Sequence, residues 1–146
     1  MSKRLSLLLL VSALTALPFG IARAGDTQAE LEVRNVTSRD LSVYLGGLCT
    51  RRLDLEVMVR AGSTYQRPFL VDQECMKTHG HATVRVTIDR WRDPRDPHRD
   101  FRSAAYISFW TFPGKVWSVY HLQNGSGFSF RFQGGEQRLT LDVHLQ

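Results

Sequence analysis

The stretch Ala82-Thr83-Val84-Arg85-Val86-Thr87-Ile88-Asp89 decides the fold, because apolar and polar residues alternate along its whole length. Successive side chains of a β-strand point to opposite faces of the sheet. The pattern therefore predicts a strand with one face on a core and the other face in water. A shift of one residue would turn Arg85 and Asp89 towards the core, so the register of this strand is strongly specified.

The same two-residue period recurs after residue 25, and no sustained helical repeat accompanies it. It is clearest at 53–60 and 139–145. Eight or nine short antiparallel strands predict an all-β sandwich, with an immunoglobulin-like arrangement of about 8 strands as the first choice and a small barrel as the alternative. Weaker strand candidates fill the gaps at 31–36, 41–45, 65–71, 104–112, 116–122 and 128–133.

Turn-forming residues predict how some of these strands connect. The segment Thr37-Ser38-Arg39-Asp40 is expected to turn the first two strands into a pair. The segment Asn124-Gly125-Ser126-Gly127 is the clearest hairpin turn in the chain. Pro68 has no backbone N–H to donate, which favours an edge position for its strand.

The first 24 residues have the three parts of a secretory signal peptide. Ser2-Lys3-Arg4 is a basic start, an apolar run covers 5–17, and Ala22-Arg23-Ala24 is a small-x-small cleavage signature. The apolar run is too short to span a membrane. We expect a signal peptide over residues 1–24, a single domain over 25–146, no membrane span or lipid anchor, and a periplasmic or secreted destination.

Removal of this leader changes the apparent charge of the protein. The whole chain carries 19 Lys and Arg against 14 Asp and Glu, which is a net charge of +5. Lys3, Arg4 and Arg23 leave with the leader, so 16 basic residues face 14 acidic residues and the net charge falls to +2. This balance argues against nucleic acid as the partner.

Cys49 and Cys75 are the only cysteines in the sequence. An even number of cysteines in a chain bound for an oxidising compartment predicts a disulfide between them. In the chain-entropy treatment, a cross-link over a loop of this length stabilises the fold by about 3–4 kcal/mol.

The segment from Cys75 to His81 is the densest group of soft and imidazole donors in the chain. Thioether and imidazole ligands suit copper, and a His-x-His pair also suits zinc. Because a disulfide would use the Cys75 sulfur, the ligands of such a metal site would be Met76, His79 and His81. The competing interpretation is a polar turn whose histidines lie in solvent, and it requires no cofactor.

Aromatic residues concentrate on two adjacent strand candidates. The two-residue period places Tyr106, Trp110 and Phe112 on one face and Ile107 and Phe109 on the other. One face is expected to fill the sandwich, and the other to form an exposed patch for a protein or carbohydrate partner, unless a charged loop covers it. The whole cluster comprises Tyr106, Phe109, Trp110, Phe112, Trp117 and Tyr120.

A charged segment at 90–102 interrupts the strand pattern. Its two prolines and mixed charges predict a long exposed loop, and loops of this length are often functional. Its arginines are able to pair with carboxylates of a partner or with the aspartates beside them.

These features predict an exported, disulfide-bonded β-sandwich that binds another macromolecule, most simply a protein, as inhibitors, assembly factors and toxin-neutralising proteins do. A copper- or zinc-binding protein is the alternative function. No sequence motif of a hydrolase or a phosphate-binding enzyme occurs, so neither an enzyme nor a catalytic residue is predicted. The predicted partner-binding residues are Trp91, Arg95, Arg99, Tyr106, Trp110 and Trp117.

Overall fold

The computed structural model describes residues 25–91, 95, 104–124 and 127–145. The proposed leader over 1–24 and most of the charged segment at 90–102 lie outside the described residues. The described residues form ten strands and one helix: β1 Thr27–Asn35, β2 Leu41–Gly46, β3 Thr50–Arg51, β4 Leu55–Val59, β5 Thr64–Val71, α1 Gln73–His79, β6 Ala82–Arg90, β7 Ala105–Thr111, β8 Ser118–Gln123, β9 Phe128–Gly134 and β10 Arg138–Leu145.

The ten strands form two five-stranded sheets, which confirms the predicted all-β sandwich. One sheet has the order β3-β5-β1-β10-β9 and the other the order β4-β2-β6-β7-β8. The first and last long strands, β1 and β10, pair in parallel, whereas the other pairs are antiparallel. Among the described residues no helix is long and apolar enough to cross a membrane.

The hydrophobic core lies between the two sheets. β6 contributes Val84, Val86 and Ile88, all of which are buried as the alternation predicts. Asp89 departs from the pattern, because it is also buried and its carboxylate accepts the backbone N–H of Arg90 at 2.7 Å. The facing sheet contributes a matching row of buried residues at Leu31, Val33, Leu139, Leu141 and Val143.

The predicted pairing of the first two strands is wrong. β1 pairs with β5 and β10, while β2 pairs with β4 and β6 in the other sheet. The buried Asn35 at the end of β1 explains the crossing, since its amide donates to the carbonyls of Arg39 at 2.7 Å and Val59 at 2.9 Å. These hydrogen bonds hold the connection between β1 and β2 against β4 of the opposite sheet. β2 therefore does not fold back along β1.

The predicted hairpin at Asn124-Gly125-Ser126-Gly127 is also wrong. β8 pairs with β7, and β9 pairs with β10 in the other sheet. The connection between β8 and β9 therefore passes from one sheet to the other, although its composition is typical of a two-strand turn. As a consequence, β8 and β9 are each a terminal strand of their sheet.

The edge position predicted from Pro68 is wrong for the whole strand, because β5 lies between β3 and β1, but it holds at Pro68 itself. Pro68 lies opposite Glu30 of β1. On the other side of β5 the two-residue strand β3 reaches only Leu70 and Val71. Pro68 therefore lies where β5 pairs with one described strand, so its missing N–H removes no ladder hydrogen bond from a central strand.

The predicted disulfide between Cys49 and Cys75 is present, with Cα atoms 5.3 Å apart. It ties the chain just before β3 to the helix α1, which replaces the polar turn expected there. Asp72 is the N-cap and accepts the N–H of Cys75 at 3.0 Å, and Gly80 ends the helix with a φ of 82°. A glycine tolerates this left-handed conformation without steric cost.

Asp72 also contacts the neighbouring strand β3. The guanidinium of Arg51 donates to its carboxylate at 2.7 Å. This hydrogen bond, together with the one from the Cys75 N–H, holds the pKa of Asp72 below its ordinary value. The helix that carries Cys75 is thus joined to β3 by an ion pair and to the residue before β3 by the disulfide.

Candidate binding surface

Trp110 is the centre of an aromatic cluster on the outer face of β7. Its ring centroid lies 4.9 Å from that of Tyr120 and 5.0 Å from that of Phe112. The ring of His81 lies 6.2 Å from both Trp110 and Phe112. These separations are within the range of favourable aromatic pairs. We call His81, Trp110, Phe112 and Tyr120 the aromatic surface.

Strand registers explain why these four residues meet. Trp110 lies opposite Thr83 in the β6–β7 pair, so His81, which directly precedes β6, is carried to the Trp110 end of β7. On the other side, the pairing of β7 with β8 is irregular between Ser108 and Phe109. This bulge accommodates the additional residue Tyr120, whose ring then lies against the indole of Trp110.

The aromatic surface is in contact with solvent. The side chains of Phe112 and Tyr120 are 39% and 43% exposed, and Trp110 and His81 are partly exposed. The exposed Arg85 lies two residues from Thr83 on the same face of β6. Aromatic residues and arginine are the types enriched in the centres of protein interfaces, so this combination suits contact with another protein.

Trp117 does not belong to this surface, contrary to the sequence prediction. It is 1% exposed and packs edge-on against Phe69, with ring centroids 5.9 Å apart. Its backbone N–H donates to the Gly135 carbonyl at 3.1 Å, which holds the segment before β8 against the β9–β10 connection. The indole is therefore directed into the core, and it also lines a pocket of about 260 Å³ that opens to solvent.

The other predicted contact residues are spread along the sheet. Tyr106 is partly exposed on the same face as Trp110, but it lies opposite Thr87, further along β6. Trp91 is exposed beyond the far end of β6, roughly 26 Å from Thr83 at the rise of an extended strand. Arg95 is exposed, and Arg99 lies outside the described residues. Of the predicted partner-binding residues that the structure describes, only Trp110 belongs to the aromatic surface.

The structure does not bring the predicted metal ligands together. Met76 faces the core and is buried, whereas His79 is exposed at the end of α1. His81 belongs to the aromatic surface, and its Nδ1 lies 3.1 Å from the His79 carbonyl. Within the described ranges, the group with metal-binding spacing is Cys49, Cys75 and His79, but the disulfide uses both sulfurs.

The sequence does not predict the contacts that His81 and Tyr120 make with Trp110. His81 was considered as a metal ligand, and its contact with Trp110 depends on the antiparallel pairing of β6 with β7. Tyr120 was expected near Trp110, but its face could not be derived because the bulge in the β7–β8 pair interrupts the two-residue period. Neither contact has a local sequence signal.

No model of a known protein family matches this chain, and no curated protein matches its sequence.

Proposed function

We propose that this protein is exported, that its leader is removed, and that the disulfide-bonded sandwich then binds another protein through the aromatic surface. The leader-like residues 1–24 and the Cys49–Cys75 disulfide both support a periplasmic or extracellular location. The functional class is that of a binding module, such as an inhibitor, an assembly factor or a toxin-neutralising protein.

The observation that carries this proposal is the contact of Trp110 with three other aromatic side chains on a face that no described segment covers. Interface hot spots are enriched in Trp and Tyr and lie in packed clusters that lose water on binding. Mutual packing also holds the four side chains in place, which lowers the entropy cost of association.

The arrangement favours a protein whose own surface offers an apolar centre with carboxylates beside it. The rings would contact the apolar centre, and Arg85 would meet a carboxylate next to it. Since Arg85 and Trp110 lie on the same face of adjacent strands, one partner of ordinary interface size would cover both.

A test begins with the purified oxidised protein as bait and the exported proteins of the producing cells as candidate partners. Once a captured partner is purified, its affinity is measured by calorimetry for the unchanged protein and for Trp110→Ala. We expect Trp110→Ala to weaken binding about 30-fold, the loss typical of a hot-spot residue.

The matched control is Met58→Ala. Met58 is an exposed apolar residue of β4, the opposite terminal strand of the same sheet. The affinity of the Met58→Ala variant for the partner should stay within about twofold of that of the unchanged protein. If Trp110→Ala, Phe112→Ala and Tyr120→Ala all bind as tightly as the unchanged protein, the aromatic surface is not the binding site. Mass spectrometry of the exported protein separately tests removal of residues 1–24.

A further inference from the structure

β8 is a terminal strand whose outer edge is open. It pairs with β7 on one side, and on the other side no described strand pairs with it. All six of its residues, Ser118–Gln123, are exposed. A terminal strand of this kind presents a row of backbone N–H and C=O groups to which another strand can be added.

The composition of β8 differs from that of the other terminal strands. Natural sheets protect their edges from unwanted pairing with charged residues or proline. β4 carries Glu56, β9 carries Arg131 and the short β3 carries Arg51. β8 reads Ser-Val-Tyr-His-Leu-Gln and contains no proline and no Asp, Glu, Lys or Arg. Its edge therefore lacks the protection that charged residues and proline give, and the bulge at Tyr120 is the protective feature that this strand retains.

The inner face of β8 is apolar, and the described residues cover it only in part. Leu122 lies opposite Ile107 and Val119 opposite Phe109, and both β7 residues are buried in the core. Yet Val119 and Leu122 are 41% and 53% exposed. The core surface thus continues past β7 onto β8, and an added strand would extend it further.

The order of residues along β8 is complementary to itself in the antiparallel sense. Because of the bulge, Val119 and Leu122 share the inner face although they are three residues apart. A twofold axis between Tyr120 and His121 would place Val119 opposite Leu122 of a second copy. The same axis would place Ser118 opposite Gln123 and, at the centre of the contact, Tyr120 opposite His121. The apolar pair on the inner face is thus flanked by pairs that carry polar groups.

We propose that two copies of this protein associate by antiparallel pairing of β8 with β8, which joins two five-stranded sheets into one of ten strands. Such an isologous contact uses the same strand from each copy. Like charges directly opposite one another destabilise a strand pair, and β8 places no formal charge in this contact. A neutral strand also offers a foreign charged strand no electrostatic basis for selection.

The test is analytical ultracentrifugation of the oxidised protein over a range from about 2 µM to about 200 µM, where a monomer–dimer equilibrium is visible by mass action. The unchanged protein should show a dimer that dissociates on dilution. Val119→Lys, which places a charge on the inner face, should raise the dimer dissociation constant at least about tenfold. Leu122→Lys should act in the same way and provides a second variant if the first folds poorly.

Met58→Lys is the matched control, because Met58 is 40% exposed on the other terminal strand of the same sheet. It should leave the dimer unchanged. Hydrogen–deuterium exchange identifies the contact, since the amides of β8 should exchange more slowly at high concentration.

A protein that stays monomeric, a dimer that Met58→Lys disrupts as much as Val119→Lys, or β8 amides whose exchange does not depend on concentration would overturn the proposal. This inference does not depend on the proposed function. If Val119→Lys loses the dimer but keeps its affinity for the partner, the dimer contact and the proposed partner-binding surface are distinct.

Discussion

The indole of Trp110 packs against the ring of Tyr120 in a tilted arrangement, with centroids 4.9 Å apart and ring planes inclined by 30°. The two residues come from adjacent antiparallel strands, and the bulge in β8 accommodates Tyr120 beside its neighbour. Aromatic pairs contribute about 0.5–1.5 kcal/mol beyond the area they bury. The same contact therefore stabilises the end of the sheet and holds the aromatic surface in place.

A double-mutant cycle should detect this pair directly. Trp110→Ala, Tyr120→Ala and the double variant are compared by urea unfolding, and we expect a coupling energy of about 0.5–1.5 kcal/mol. The control cycle combines Trp110→Ala with Tyr106→Ala. Tyr106 is four residues from Trp110 on the same strand, so the coupling energy between these two residues should be smaller. Equal coupling in both cycles would contradict a specific contact between Trp110 and Tyr120.

Trp117 should contribute to stability and not to partner binding. Trp117→Ala removes a large side chain from the core and should lower the free energy of unfolding by about 3–5 kcal/mol. Trp117→Phe should cost less, because the indole N–H has no hydrogen-bond partner among the described residues and its loss leaves no acceptor unpaired. Chemical denaturation measures both variants. A Trp117→Ala protein as stable as the unchanged one would place the indole outside the core.

Gly134 should not tolerate a larger residue. A Cβ atom at this position would overlap the backbone carbonyl of Trp117 and the ring of Phe132. Gly134→Ala should therefore lower the free energy of unfolding by about 1–3 kcal/mol, the usual cost of overpacking. Gly135→Ala is the matched control, since the nearest atom to its Cβ would be the Arg138 carbonyl oxygen at 3.8 Å. Thermal unfolding of both variants checks the difference, and equal melting temperatures would contradict the close approach.

The ion pair between Asp72 and Arg51 should make stability depend on pH. The hydrogen bonds from Arg51 and the Cys75 N–H lower the pKa of Asp72 in the folded protein. A carboxyl with a lowered folded pKa stabilises the fold above its unfolded pKa, and this contribution is lost as the pH falls through the folded value. Asp72→Asn keeps a good N-cap residue but loses the charge.

The unchanged protein should therefore be more stable than Asp72→Asn at neutral pH. The difference should shrink once the pH falls below about 4, where an ordinary aspartate begins to protonate. Urea unfolding measured from neutral to acidic pH tests this expectation. A stability difference that stays constant over the whole range would show that the charge of Asp72 does not stabilise the fold.

Local sequence pattern was sufficient for the strands and the cross-link. The alternation at 82–89 correctly predicts β6 and its buried apolar residues but not the burial of Thr83 and Asp89, and the pair of cysteines correctly predicts the disulfide. The local pattern did not predict which strands pair with each other. The two-residue period says which side chains share a face, but it does not say which strand lies alongside. Asn35 illustrates this, because its hydrogen bond to Val59 helps to anchor the crossing between the sheets.

The aromatic surface was likewise predictable from the sequence only in part. The sequence by itself determined that Tyr106 and Trp110 share one face of β7, since a strand alternates its side chains whatever its partners are, and the same period assigns Phe112, directly after the strand, to that face. Only the tertiary structure decided that His81 and Tyr120 complete the aromatic surface, that Trp117 is buried, and that β8 ends its sheet. The physical reason is that side-chain direction follows from local geometry, whereas burial and edge position depend on how the whole chain excludes water from one core.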